Sequence, residues 1–367
     1  MCRSRLLCFN CSHEMALAAN VRQYFPPKNI QQMEVDLCLL PLWWAEDGDA
    51  VIVQDIVEAE SFMRRWEGIC PNVELTTWSE GYDALRKRTG RDFIPAPWGW
   101  NKAVAERYRR FGIAADCMLT DYELEELRRM ASRELVCEYF SHDAHIGFPS
   151  PLFARTLDFL IPEGAEKLIF KSPWSSSGRG VFVADVPLEE PSVNRLKGFL
   201  KTQGGFLVDR FYDKVMDFAL EYDIRKDGSV DFMGFSVFDT AEGGRYGGNV
   251  LMGQEDLRHA IEAVAETSMS DIIERSRERL RSVLSCKYAG VAGVDMLVVN
   301  HEGRRSVHPC IEINLRMNMG VLAMNVYERL SSHGIDMQSE TALTPERKSG
   351  FVCKCVDGRL VLRSVGV

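Results

Sequence analysis

The chain has 367 residues, 46% hydrophobic and 26% charged, with 44 Lys and Arg against 53 Asp and Glu and a formal net charge of -9. This is ordinary globular composition, long enough for two or three lobes with a core each, and it excludes a disordered chain. The acidic balance, without a long basic run or a basic and aromatic stripe, argues against nucleic-acid binding, although Arg86-Lys87-Arg88 and the 107–110 stretch are local basic patches.

No apolar run is long enough to span a membrane, and residues 1–10 lack the apolar core and cleavage site of a signal peptide, so a cytoplasmic protein without a membrane partner is expected. The 11 cysteines are scattered through apolar stretches as small buried residues are. Cys8-x-x-Cys11 with His13, and Cys353-x-Cys355, are each a lone pair without a second pair at zinc spacing, and we read them as packed thiols.

In chain order, 5–9 reads as a strand that ends in the polar turn Asn10-Cys11-Ser12-His13-Glu14, a type of turn that rims a cleft in an α/β sheet. Glu14 reads as a helix cap, while His13 is open as a substrate contact. Segments 15–24 and 30–40 read as helices, 50–53 as the second strand, 61–66 as helical and 73–75 as a short strand. Pro95-Ala96-Pro97-Trp98-Gly99-Trp100 reads as a rigid aromatic connector. Residues 1 to about 100 thus make a small α/β lobe with parallel strands. Helices follow over 101–110, stopped by Gly112, and over 121–132, whose acidic start suits its positive end.

At 167–171 a strand delivers Lys171 into the loop Ser172-Pro173-Trp174-Ser175-Ser176-Ser177-Gly178-Arg179-Gly180. Small residues there let backbone N–H groups approach phosphate oxygens, and the lysine supplies a point charge. It is not a Walker loop, because the lysine precedes the loop. As residues alone, the loop also fits an ordinary hairpin turn, which leaves the lysine in an apolar strand unexplained. Segments 205–212 and 217–222 read as strands, 228–240 as a strand pair, and 243–249 as a flexible loop whose Arg245 and Asn249 suit a substrate carboxylate or, equally, a surface turn. A long helical region is expected over 254–284, a strand over 291–299 with one acid, Asp295, a Glu302-Gly303 turn, a helix over 321–330 and a terminal hairpin with an Asp357-Gly358 turn.

The segment Cys310-Ile311-Glu312-Ile313-Asn314-Leu315-Arg316 alternates apolar and polar side chains. Glu312 and Asn314, two apart on a strand, offer oxygens to one cation, and Arg316 extends that face with a fork-shaped positive charge. A hairpin through 300–304 brings Asp295 across from Glu312. Taken alone, Asp295 fits a solvated or capping acid; with its neighbours it needs a partner, since a buried unpaired charge costs several kcal/mol.

The pair of Asp295 and Glu312-x-Asn314-x-Arg316, with Lys171 and its loop in the same order, resembles the ATP-grasp superfamily from about Lys102 to Gly320. The resemblance implies an α/β ATP-grasp fold: a small parallel α/β domain at 1–115, a small lobe with the phosphate loop at 116–212, and a large lobe with the metal site and C-terminal hairpin at 213–367, the two α+β lobes clamping ATP. It implies Mg2+, or Mn2+, on Asp295, Glu312 and Asn314; nucleotide contacts at Lys102, Lys171, Ser175, Ser176, Ser177, Gly178, Arg179 and Gly180; adenine near Asp209, Arg210 and Tyr212; ribose at Asp217; and Arg316 and Lys171 as catalytic groups. The family uses Glu more often than Asp at the last two acids. The implied reaction is ATP-dependent activation of a carboxylate as an acyl phosphate, attacked by an amine or thiol. A kinase on the same fold and an ATP-binding regulator without turnover are the competing readings, and the substrates and oligomeric state stay open.

Overall fold

Leu6 and Cys8 alternate with Leu7 and Phe9, and all four are buried. A strand apolar on both faces belongs inside a sheet covered on both sides. The computed structural model describes residues 4–141, 147–175, 178–241, 245–284, 286–335, 341–342, 351–356 and 359–364, and side chains only to residue 335, without those of Ala241 and Arg245. β1 (Ser4–Cys8), β2 (Ala50–Ile52), β3 (Glu74–Thr76) and β4 (Phe93–Pro97) form an all-parallel sheet in the order β3-β2-β1-β4. Leu7, Phe9 and Val51 join Trp43, Phe62 and Trp66 in a core on one side, while Leu6, Cys8 and Ile52 join Tyr108 and Phe111 on the other. The helices of this region are α1 (His13–Ala19), α2 (Lys28–Asp36), α3 (Ile56–Arg65), α4 (Tyr82–Thr89) and α5 (Lys102–Phe111).

The expected connector at 95–100 begins as strand β4, which pairs with β1 through Leu6↔Pro95 and Cys8↔Pro97. Proline fits because β4 is a sheet edge: Trp98 N–H donates to Cys8 O at 2.8 Å, so the alternate positions 95 and 97 face away from β1, where no N–H is needed.

The chain divides into two units, one of Met1–Glu126, Gly248–Gly253 and Met317–Val367, the other of Leu127–Gly247 and Gln254–Arg316. Helix α6 (Asp121–Met130) runs from one into the other, ending two residues before the expected 132. The second unit continues with α7 (Glu134–Ser141), β5 (Leu152–Ala154), β6 (Lys167–Lys171), β7 (Val181–Asp185), α8 (Glu190–Gln203) and β8 (Phe206–Arg210), whose strands form a sheet of order β5-β8-β6-β7. Leu168 and Phe170 of β6 pack with Phe182, Leu196 and Phe206. Period-two alternation therefore turns Lys171 to the opposite face of its sheet.

Next come β9 (Asp213–Ile224), β10 (Val230–Ala241), β11 (Arg245–Val250), α9 (Gln254–Ala265), α10 (Ser270–Leu284), β12 (Gly290–His301) and β13 (Arg304–Asn314). In the second unit the neighbours run β13-β12-β9-β10, antiparallel throughout. The expected strand pair at 228–240 is the single strand β10, because Gly234 marks a bulge and not a turn. The single helical region expected over 254–284 is two helices, since Glu266 adopts φ 55° and ends α9. The loop expected at 243–249 is strand β11 from residue 245, paired as Asn249↔Leu360 with a strand far along the chain; residues 242–244 lie outside the described residues.

The first unit resumes with α11 (Met319–Ser332), β14 (Thr341–Ala342), β15 (Phe351–Val356) and β16 (Arg359–Ser364), the last two forming the expected hairpin. Leu322, Val326 and Leu330 of α11 enter the core around Trp43, and Arg329 Nε donates to Trp43 O at 2.9 Å. Trp43 is 1% exposed and meets Trp66 edge-on with centroids 5.6 Å apart. Trp43→Ala is expected to cost about 3–5 kcal/mol of stability, read by urea unfolding followed by far-UV circular dichroism.

Candidate functional site

Alternation along β9 and β12 builds the floor of the site. Phe218, Leu220, Tyr222, Val294, Met296 and Val298 are buried in the core, and the Tyr222 hydroxyl donates to Ile273 O of α10 at 3.3 Å. The intervening residues take the other face: Asp217, Ala219 and Glu221 on β9, Gly293 and Asp295 on β12. The register lays them in rungs, Asp295 between Ala219 and Glu312, and Gly293 between Glu221 and Asn314. The hairpin thus pairs Asp295 with Glu312, as its sequence pattern predicts. Between Asp295 and Leu297 the register shifts by a bulge in β13 beside Pro309, tolerated because β13 is an edge strand.

Asn314 Nδ2 donates to Asp295 Oδ2 at 3.2 Å, and the Ser236 hydroxyl to Glu221 Oε1 at 2.8 Å. Burial, then the Glu312 and Glu221 charges, push the Asp295 carboxyl well above the usual carboxylate range, against the pull of Arg316 and Asn314. This rung calls for positive charge. Lys171, 6% exposed, donates from Nζ to Ile311 O at 2.8 Å, one residue before Glu312. Burial lowers its pKa, opposed by Asp209.

Arg133, which the sequence reading missed, reaches the same place. Its Nη1 donates to Ser172 O at 2.6 Å and Ser175 Oγ at 2.7 Å, and its Nη2 to Ser175 O at 3.0 Å and Glu312 Oε1 at 2.8 Å. Nothing local in Arg128-Arg129-Met130-Ala131-Ser132-Arg133 distinguishes it from an exposed helix arginine. The loop it holds closes through Ser172 N–H to Gly180 O at 2.8 Å. Gly178 has φ 72°, and a Cβ on Gly180 would lie 2.0 Å from Ser172 Oγ and 2.5 Å from Ser175 Oγ, so both positions need glycine. Arg179 is exposed, and Ser176 and Ser177 lie outside the described residues.

Asp209 and His308, both buried, lie 3.7 Å apart between Oδ2 and Nε2. Burial raises the Asp209 carboxyl to about 6 although Lys171 opposes it, and burial with Lys171 lowers His308 to about 3. The His308 ring packs against Phe148 at 4.8 Å and Tyr212 at 5.0 Å, and neither its nitrogens nor the Tyr212 hydroxyl finds a hydrogen-bond partner among the described residues. Arg210 donates to Glu163 O at 2.6 Å, and Asp217 accepts from Lys214 at 2.6 Å and Thr240 at 2.8 Å.

Lys102, His13 and Asn249 belong to the other unit. Lys102 pairs with Glu125 there, and His13, 2% exposed, packs on Gly99 with Nδ1 3.2 Å from Asn101 Nδ2. Asn249 is 1% exposed, and the Arg245 side chain lies outside the described residues.

The donor set at the rung is two carboxylates and an amide, and no group of three or more His, Cys, Asp or Glu able to hold a metal occurs among the described residues. Mg2+ fits such a set, since it takes one or two carboxylates, keeps its waters and completes its shell with substrate phosphate.

Asp209 also sets a pH dependence. Its folded pKa of about 6 lies above the roughly 3.9 of an unfolded Asp, so the folded state holds the extra proton and this group's contribution falls as pH rises from about 4 to 6. His308 acts in the opposite sense, losing stability as pH falls from about 6.5 towards 3. The wild type minus Asp209→Asn difference in urea-derived stability should therefore decline by on the order of 2–3 kcal/mol across pH 4–6.5.

Compared with known proteins, the chain matches no family model and no curated protein. Its likeness to solved structures includes Campylobacter jejuni biotin carboxylase, at 11% identity and TM-score 0.47 over 95% of this chain and 74% of that one. It also includes Staphylococcus aureus N5-carboxyaminoimidazole synthetase complexed with ADP, at 9% identity and TM-score 0.46 over 100% and 95%. Rhizobium etli pyruvate carboxylase aligns at 11% identity and TM-score 0.48 over 89% of this chain, which spans only 27% of that enzyme. No helix among the described residues is long and apolar enough to cross a membrane. At 9–11% identity and TM-scores of 0.46–0.48, these likenesses assign the chain neither a family nor an activity.

Proposed function

We propose that the chain is an ATP- and Mg2+-dependent ligase that activates a small-molecule or peptide carboxylate as an acyl phosphate for attack by an amine or thiol. The observation that carries this reading is the rung Asp295–Glu312 with Asn314 beside it, onto whose strand Lys171 and Arg133 converge at the consecutive residues Ile311 and Glu312. Acids that collect a divalent cation, next to cations that collect phosphate oxygens, are what phosphoryl transfer requires, because its transition state is stabilised by position and charge.

In this reading Asp295, Glu312 and Asn314 hold the metal, which supplies charge neutralisation at the phosphates. Lys171 is preorganised by burial and by its bond to Ile311 O, so it presents its ammonium without reorganising. Arg316, whose charge acts on Asp295, is the group this reading assigns to orient a phosphoryl or carboxylate oxygen bidentately, a role lysine does not copy. The loop's ends are held by Ser172 N–H to Gly180 O and by Arg133 to Ser175 Oγ, and in this reading the loop meets the phosphates. Asp209, Arg210 and Tyr212 line the nucleotide's base and Asp217 its ribose. The Lys102, His13 and Asn249 assignments remain proposals for phosphate and substrate contacts in the other unit.

Two measurements test this. Phosphorus NMR with ATP, Mg2+ and pooled carboxylates and amines should show ADP and inorganic phosphate only when both substrate classes are present. A phosphomonoester peak would make the protein a kinase instead, and no turnover with retained nucleotide binding would favour a regulator. Asp295→Asn should lower turnover by at least about 10²-fold, and full turnover in that variant would remove the metal rung from the mechanism.

A further inference from the structure

Arg133 is a buried cation of the second unit whose bond to Glu312 has a consequence for the metal itself. Its side chain is 5% exposed, against 27% for Glu312. Four hydrogen bonds leave its two terminal nitrogens, three to the Ser172 and Ser175 groups and one to Glu312, and its Nε has no partner among the described residues. Its backbone N–H donates to Pro173 O at 3.0 Å, so it is anchored to the loop at both ends. The residue ties the loop after β6 to a carboxylate 179 positions away.

The charge balance gives this bond a consequence. Glu312 faces Asp295, which lies near Glu221, and a guanidinium at 2.8 Å from Glu312 Oε1 relieves the acidic rung as a divalent cation would. A cation arriving at the same carboxylate meets a fixed positive charge beside it, and like charges repel strongly where water is largely excluded. Resting on the metal reading of Asp295 and Glu312, we propose that Arg133 is a positioning residue that stands in for the cation at Glu312 and competes with it, so that metal loading and the Ser172–Ser175 loop are linked through one guanidinium.

The probe is Mn2+ alone, without nucleotide, followed by electron paramagnetic resonance on the full chain. Arg133→Met, which keeps bulk and removes charge, should bind Mn2+ at least about tenfold more tightly than wild type, because Glu312 loses the guanidinium hydrogen-bonded to it. Arg133→Lys, which keeps the charge, should stay near wild type. Glu312→Gln should lose Mn2+ in either background. Equal or weaker Mn2+ binding by Arg133→Met, with Glu312→Gln still losing the ion, overturns the competition and leaves the metal site standing. Unchanged binding by Glu312→Gln overturns both. Since Arg133→Met also strips the loop of donors, a readout on wild type guards against a misfolded variant: the Arg133 Nε–Hε resonance, assigned by its absence in Arg133→Lys, should shift as Mg2+ is added. A resonance that stays in place through Mg2+ saturation overturns the proposal.

Discussion

Like charge collected on one face of a sheet is the constraint from which the second unit follows. Glu221, Asp295 and Glu312 stand on the neighbouring strands β9, β12 and β13, and the first is 1% exposed. Carboxylates so close are not held ionised together without positive charge or a raised pKa, and Asp295 shows the second response. The first response draws Lys171 and Arg133 inward, at the expense of desolvating both, and each is secured by carbonyl oxygens that occupy its donors. The arrangement is a poor way to gain stability, since buried ion pairs often break even against apolar packing.

The loop and the acids are one device. Gly180 has no room for a Cβ because Ser172 and Ser175 hydroxyls occupy that space, and those same residues accept the Arg133 guanidinium that also holds Glu312. A change of one methyl group at Gly180 is thereby felt at a carboxylate on another sheet. The aromatic cluster of Phe148, Tyr212 and His308 beside Asp209 is different in kind. Its rings are packed, yet its polar atoms find no hydrogen-bond partner among the described residues, a state that natural structures seldom tolerate without a purpose.

The first unit is organised by apolar burial instead. Its parallel strands are covered on both faces, and α11, which follows the signature strand directly in sequence, returns to pack Leu322, Val326 and Leu330 into the core of the N-terminal sheet. Met317 N–H donates to Trp98 O at 2.9 Å, so the residue after Arg316 is tied to the end of β4. His13 and Asn249 are buried in this unit, and Lys102 pairs with Glu125.

Whatever depended on the backbone's own period was legible in the sequence. Two-residue alternation determined that Glu312 and Asn314 share a face and that Lys171 turns away from Phe170, whereas the bulge beside Pro309, not the Glu302-Gly303 turn alone, brings Glu312 opposite Asp295. The parallel lobe was readable because its strands are apolar on both faces. Local reading failed where a distant partner decides the conformation: Pro95 and Pro97 became a strand because β1 offered an edge, and Gly247-Gly248-Asn249 became one because β16 lay beside it. Arg133 was invisible for the same reason, since an arginine's partner is set by where the chain path carries it. Period and parity are properties of adjacent peptide units, whereas charge pairing across 179 residues exists only once the sheets have packed.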